Sequence, residues 1–249
     1  MALTPVNLAA TNVLSTSVRS TWERNPYSAA VLADSPVAYW RLGEAAGTTL
    51  VDELSTYNGT YFGATLGATG LLVGGTDTAA DFDGSDDYAL VDGYADSAAF
   101  SVELWAEWDT IPGSNPGLVH ARPAGTNATS GADKSIGLWL EGGTGKVWGR
   151  VITGDGFQHD LPKTATATSK QVPFHVVLTF DGSNIRLYLD GSEAITPVST
   201  AVSSMSDWSR VIFGSQGTEN WDGRLDEVAL YSFALSPARI EAHYNAGTT

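Results

Sequence analysis

The chain contains no cysteine. That absence excludes disulfides, thiolate zinc centres and cysteine nucleophiles, so packing alone must hold the fold together. Basic residues are scarce as well: 13 Lys and Arg stand against 28 Asp and Glu, a formal net charge of −15. Such a chain is repelled by nucleic acid and by anionic membrane surfaces, which leaves neutral, cationic or metal-bridged partners. No apolar run approaches the length of a membrane span, so no membrane insertion is expected. Met1-Ala2-Leu3-Thr4-Pro5 offers neither a basic region nor a sustained apolar stretch, so no export signal is expected either. The four histidines, His120, His159, His175 and His243, show no metal-ligand or triad spacing.

What is present points to strands. Hydrophobic residues make up 43% of the 249 positions, ample for a core, while charged residues make up only 16% and glycine counts 27. Low charge with many glycines and β-branched residues favours strands and turns over amphipathic helices. Phe100, Val102, Leu104, Ala106 and Trp108 alternate with Ser101, Glu103, Trp105 and Glu107, and Ile136, Leu138 and Leu140 alternate with Gly137, Trp139 and Glu141. This period of two predicts strands with one face in the core. The sequence Asp181-Gly182-Ser183-Asn184 separates the runs 174–180 and 185–189, a hairpin in which glycine supplies the positive φ of the turn. One helix is expected near the end: Ser236 is a good N-cap, Pro237 suits the first helical position, and Gly247 suits the stop. Leu235 and Ile240 would form a hydrophobic staple across the cap. Residues 1–35 lack a clear period and read as an N-terminal arm, with one or two helical turns over 27–33, ahead of a domain over 36–249.

Four segments carry a family resemblance. They are Ala80-Asp81-Phe82-Asp83-Gly84-Ser85-Asp86-Asp87-Tyr88, Phe100-Ser101-Val102-Glu103-Leu104-Trp105, the hairpin from His175 to Gly191, and Asp222-Gly223-Arg224-Leu225-Asp226-Glu227-Val228-Ala229-Leu230-Tyr231 followed by Ala234-Leu235-Ser236. In order and spacing they resemble the laminin-G-like, or concanavalin-A-like, jelly-roll superfamily over roughly residues 36–247. The resemblance implies an all-β sandwich that usually binds its partner without cutting it. The stretch from Asn25 to Glu44 is similar to the lead-in of such modules in tailed-phage tail and other virion proteins. With no export signal in view, this implies a virion protein made in the host cytoplasm. The alternative is a bacterial secreted module.

Glucanases of the superfamily carry two carboxylates in a Glu-x-Asp-x-x-Glu pattern, which this sequence lacks. A retaining glycosidase needs its two carboxyl groups about 5 Å apart. Glu103 and Glu107 would lie roughly 13 Å apart at strand rise and read as two solvent-facing carboxylates. No catalytic residue is therefore assigned. Calcium is a candidate cofactor, since the resemblance to pentraxin-like modules places ligand loops at Asp133 and at Gln216, Glu219 and Asn220. Asp83, Asp86 and Asp87 read more simply as turn caps. For a glycan, Trp105 and Trp139 alternate away from the core, and Trp148 with Arg150 and Tyr188 with Arg186 would join them in one aromatic row. Alternatively, the arm or a neighbouring subunit covers these rings. Phe157 and His159 mark a second, loop-borne surface. The expectation is a non-catalytic virion protein that assembles as a homo-oligomer, attaches to other virion proteins through its arm, and contacts host-surface carbohydrate. A purely structural subunit, with no glycan contact, is the alternative.

Overall fold

The computed structural model describes residues 26–94, 97–111, 114–123, 136–154, 156–200, 208–215, 217 and 219–249. In chain order the elements begin with helix α1 (Pro26–Ala33) and strands β1 (Ala38–Trp40), β2 (Thr49–Leu50), β3 (Gly59–Phe62), β4 (Thr65–Thr69), β5 (Thr78–Asp83) and β6 (Tyr88–Asp92). They continue with β7 (Phe100–Trp108), β8 (Gly117–Arg122), β9 (Ile136–Leu140), β10 (Val147–Ile152), β11 (Gln158–Asp160) and β12 (Phe174–Phe180). The last are β13 (Asn184–Leu189), β14 (Ser192–Glu193), β15 (Val198–Ser199), β16 (Arg210–Phe213), β17 (Asp222–Tyr231) and helix α2 (Pro237–Gly247).

These strands form two antiparallel sheets. One runs β14-β13-β12-β7-β17-β5-β4, with β1 added to β17 and β15 to β13; the other runs β11-β10-β9-β8-β16-β6-β3-β2. The alternation read from sequence sets the inward faces: Phe100, Val102, Leu104 and Ala106 from one sheet meet Ile136, Leu138 and Leu140 from the other in a single core. A sandwich with a short C-terminal helix is therefore what the chain forms. The predicted hairpin is present, with Asp181 Oδ1 accepting from the N–H of Ser183 (2.9 Å) and Asn184 (2.7 Å) around Gly182. Ser236 caps α2 through the Arg239 N–H, and Leu235 and Ile240 are both buried beside it. The stretch between Gly43 and Ala79, which has little hydrophobic period, supplies β2, β3 and β4. β4 is an edge strand with no buried residue, so its sequence carries no core signal.

A second, smaller core lies on the outer face of the nine-stranded sheet. Tyr27 and Val31 of α1 and Ile240 of α2 close over Tyr39, Trp105, Val177, Tyr188 and Tyr231. Trp105 therefore points away from the main core, as its alternation requires, yet is only 2% exposed. Its ring stacks on Tyr244 (5.8 Å, 12°) and meets Tyr27 edge-on (6.0 Å, 78°). Gly247 lets the helix end approach this ring: a Cβ there would come within 2.5 Å of the indole.

The charged residues of this face are enclosed with it, which corrects the expectation that Glu103 and Glu107 face solvent. Glu103 is fully buried and accepts hydrogen bonds from the hydroxyls of Tyr27 and Tyr231, both 3.1 Å. The Nδ1 of His243 lies 3.0 Å from its Oε2, and the Nε2 of His243 lies 2.9 Å from Asp34 at the end of α1. Burial opposes ionisation of Glu103, but the hydrogen bond and charge of His243 outweigh it and hold the carboxyl below its usual range. Glu107 is 4% exposed and ion-paired to Arg224. Further along the face a bulge in β17 places Asp226 and Glu227 side by side, with Glu227 at φ 54°. Asp226 accepts the Leu71 N–H at 2.9 Å, while Glu227 receives Tyr39 and Arg41.

Candidate functional site

The outer face of the eight-stranded sheet has no helix over it among the described residues. Its side chains follow from the pleat. Arg150, Gly137, His120, Ile212, Leu90 and Thr60 are successive partners from β10 across to β3, and all alternate with core residues. The Trp139 ring lies flat across Gly137, where a Cβ would sit 1.9 Å from the indole. Trp148 stacks on Trp139 at 4.6 Å and 23°, and the Arg150 guanidinium caps both rings at 5.8 and 5.5 Å. Arg150 is in turn held by both carboxylate oxygens of Asp160. This is a cation–π stack of fixed geometry.

Beyond His120 the face opens into a cleft of about 310 Å³. Leu90 and Ile212 line it, Tyr88 stands at one side, and Arg122 and Arg210 close one end. Phe62 stacks on Tyr88 at 4.5 Å and 13° and is 39% exposed. At the opposite end are Asp86, Ser85, Ser215 and Asn220. Arg122 and Arg210 are directly opposed on β8 and β16, and Arg210 forms a forked ion pair with Asp92 through Nε (2.7 Å) and Nη2 (3.0 Å). His120 is 1% exposed; burial, reinforced by Arg122 and Arg150, pushes its pKa down to about 4, so it is neutral. A volume of this size with an apolar floor and polar ends is the form of a small-ligand site.

The residues expected from sequence divide between two faces. Trp139, Trp148 and Arg150 come together on the eight-stranded sheet, whereas Trp105 and Tyr188 belong to the nine-stranded one. The expected single aromatic row does not form, because those two strand pairs lie in different sheets. Tyr188 is 1% exposed and, like Trp105, is closed off from any ligand by the helix-covered core. Arg186 pairs with Glu193 at 2.8 Å. Trp139 is 3% exposed and Trp148 half-buried, so this stack supports the site more than it lines it. Phe157 is 67% exposed beside β11, where His159 Nε2 lies 3.4 Å from the Thr153 hydroxyl.

Of the expected calcium ligands, Asp133 and Gln216 lie outside the described residues. Glu219 accepts the Asn115 N–H at 3.2 Å, and Asn220 bonds the Ser215 hydroxyl at 2.6 Å and the Ser85 carbonyl. The carboxylates of Asp83, Asp86 and Asp87 converge within 4.8 Å. Two of them cap local backbone, Asp83 from Ser85 N–H and Asp87 from Asp83 N–H, which is the turn role expected of them. The cleft residues Tyr88, Arg122, Arg210 and Ile212, and Phe62 stacked on Tyr88, were not singled out as site residues by sequence. Tyr88 lies within the family-like segment 80–88, and the others carry no motif.

With this geometry in place, the affiliation is clear. The chain belongs to the family described as the concanavalin A-like lectin/glucanases superfamily, whose model matches residues 82–241. No curated protein matches its sequence. Among solved structures it is similar to domain 4 of AbnA, an extracellular GH43 arabinanase of Geobacillus stearothermophilus, solved with arabinotriose. Identity is 17%, the match covers 84% of this chain and 98% of that domain, and the TM-score is 0.65. The binding domain of Paraclostridial Mosquitocidal Protein 1 is similar at 18% identity over 86% of this chain and 53% of that one, with TM-score 0.65. A Trypanosoma rangeli sialidase in complex with the inhibitor DANA matches at 16% identity over 84% of this chain, with TM-score 0.58. The chain spans about a third of that sialidase (32%) and about half of the mosquitocidal binding domain. At these identities the likeness is one of fold.

Proposed function

We propose that this protein is a non-catalytic carbohydrate-binding module whose glycan site is the cleft on the outer face of the eight-stranded sheet. One observation carries the reading: of the two outward sheet faces, α1 and α2 cover one, and the other presents a cleft with an apolar floor and polar ends beside the Phe62–Tyr88 stack. Aromatic rings present flat apolar surface to the apolar faces of sugars, while hydroxyls need the polar groups found at the cleft ends. The arabinanase domain solved with arabinotriose shares the fold, which supports the reading without assigning the sugar. Non-catalytic action is favoured because Asp92 and Asp160 on this face are engaged by arginines, Glu103 is shut under the helices, and Glu107 is buried against Arg224.

In the wider assignment the module works on a virion, attached through the residues ahead of α1 and assembled with copies of itself to present the cleft to host-surface carbohydrate. The support is the similarity of the stretch 25–44 to virion lead-ins. Calcium stays a candidate cofactor on Asp133, Gln216, Glu219 and Asn220, tested by the melting temperature with calcium and with chelator. The central test is a glycan array on the full chain beside Tyr88→Ala. Binding that Tyr88→Ala abolishes supports the site. Binding by the native chain that survives Tyr88→Ala and Ile212→Ser sinks the placement. Deletion of residues 1–25 should release the protein from particles, and retention on particles would refute the anchoring role.

A further inference from the structure

We infer that the roof over the nine-stranded sheet carries a proton-operated latch: protonated His243 holds the end of α1 shut, and loss of its proton releases that helix. One ring makes both contacts. His243 of α2 is fully buried, and its two nitrogens face carboxylates from two different elements. Nδ1 hydrogen-bonds Glu103 of β7, at 3.1 and 3.0 Å from its two oxygens. Nε2 lies 2.9 Å from Asp34 Oδ2, just past the end of α1. A neutral imidazole has one N–H and one lone pair, so only the imidazolium faces two carboxylates without repulsion. Burial opposes that second proton, but the hydrogen bond and charge of Glu103 and the charge of Asp34 outweigh it and lift the ring above its usual 6.5.

The two contacts are unequal, and this decides which gives way. Glu103 lies wholly out of water, so the one N–H of a neutral ring stays with it, beside the hydroxyls of Tyr27 and Tyr231. The Nε2 contact is close but not aligned as a hydrogen bond, so charge alone holds Asp34 to the ring. Asp34 keeps access to water, and its other ionic partner is the more exposed Arg239. The helix from Pro26 to Ala33 has no charged residue of its own, so its ionic attachment runs through Asp34. Ser35 follows at φ 54°, a strained conformation for a residue other than glycine, and supplies the hinge. The other titratable groups around the ring answer in different ranges. Burial and Glu103 raise Tyr27 of α1 and Tyr231 of β17 well above 10. Burial lowers His175 of β12 to about 4, and Glu103 is held below its usual 4.5 because His243 outweighs its burial. Above about 6.5, therefore, the closed roof keeps a proton on His243 that the opened one has released, so opening grows as the pH rises and levels off above the folded value. On the acid side the opened roof gains protons on His175 and Glu103, so opening also grows as the pH falls.

The test is hydrogen exchange of the full chain from about pH 5 to about pH 9.5, with the intrinsic base-catalysed rate divided out. Opening of α1 should be least near the ordinary histidine value and rise above it by about tenfold per pH unit before it levels off. His243→Gln should abolish this alkaline limb and keep the acid one. Asp34→Asn, a change at the rim of the roof, should make the limb level off at lower pH. Glu227→Gln removes the other group that titrates in this range, and the α1 limb should persist in it. A flat native profile on the alkaline side, or a limb retained in folded His243→Gln, would overturn the latch. A limb unchanged in Asp34→Asn would overturn it even where His243→Gln does not fold. A limb lost in Glu227→Gln would assign it to the Asp226–Glu227 pair and overturn it as well.

Discussion

Replacing Trp105 separates two roles that an outward-pointing tryptophan can have. In Trp105→Ala the ring is lost from the second core, together with its stack on Tyr244, its edge contacts to Tyr27 and its contact with His175 at 5.2 Å. The α2 end also loses the surface on which Gly247 rests. Truncating a buried tryptophan costs about 3–5 kcal/mol, and the upper half of that range applies where several aromatic partners are left facing a void. For a domain of this size each kcal/mol lowers the melting temperature by about 2–4 °C, so a fall of roughly 8–16 °C is expected for a loss of about 4 kcal/mol. Circular dichroism melts and urea titrations of the full chain measure it, and glycan binding measured well below the melt should be unchanged. A variant that melts like the native chain but no longer binds glycan would place Trp105 at an open ligand surface. It would refute the helix-covered second core altogether.

Other perturbations have equally definite outcomes. Gly137→Ala should displace the Trp139 ring, since the new methyl would sit 1.9 Å from it, with a loss of about 1–3 kcal/mol in denaturant titration. Tyr88→Ala should weaken glycan binding by at least tenfold in calorimetry while changing the melt little, because the ring is only half-buried. The pH dependence has a worked sign. Burial and mutual repulsion raise Asp226 well above the usual carboxylate range, and burial raises Glu227 to about 7 despite Arg41, so the folded pair binds a proton that the unfolded chain has released. Its stabilising effect is complete below the unfolded value of about 4.5 and is lost as pH rises through the folded one. His243, raised by Glu103 and Asp34, adds stability that is likewise lost on the alkaline side. Thermal melts should therefore fall as the pH rises from about 4.5 through about 7, and Glu227→Gln should flatten the slope; a flat native profile would show the pair to be ionised throughout.

Much of the sandwich could be read from sequence because its core strands alternate strictly. Phe100 to Trp108, Phe174 to Phe180 and Ile136 to Leu140 each fix an inward face, and Asp181-Gly182 fixes a turn. The helix was legible from Ser236-Pro237 because capping is local chemistry. Alternation states that Trp105 and Trp139 point away from the core, but it does not say which sheet each strand joins or what lies over the outward face. Those facts depend on the pairing of β7 with β12 and β17, and of β9 with β8 and β10, contacts made across the topology. The cleft was hidden for the same reason. Arg122 and Arg210 are 88 positions apart and become neighbours only through strand pairing.

The two outward faces of this chain without disulfides differ in how they are closed. On the nine-stranded sheet Glu103 ties four separate segments: its own strand β7, Tyr27 of α1, Tyr231 of β17 and His243 of α2. A carboxylate removed from water is costly unless its oxygens are satisfied, and here two of the three partners that satisfy it, Tyr27 and His243, come from the same helices that exclude the water. Roof and charge therefore require each other, and Tyr27→Phe should loosen α1 by removing one donor to a buried anion. Such a change costs about 1–3 kcal/mol and should raise hydrogen exchange in α1 ahead of the sheets. If α1 exchanges at the rate of the core strands in that variant, the helix is held by its apolar contacts alone and Glu103 does not organise the roof. On the eight-stranded sheet His120 and Arg122 are buried as well, but Arg150 and Arg210 pair nearer the surface with Asp160 and Asp92. Surface pairs contribute little stability and can be rearranged at little cost.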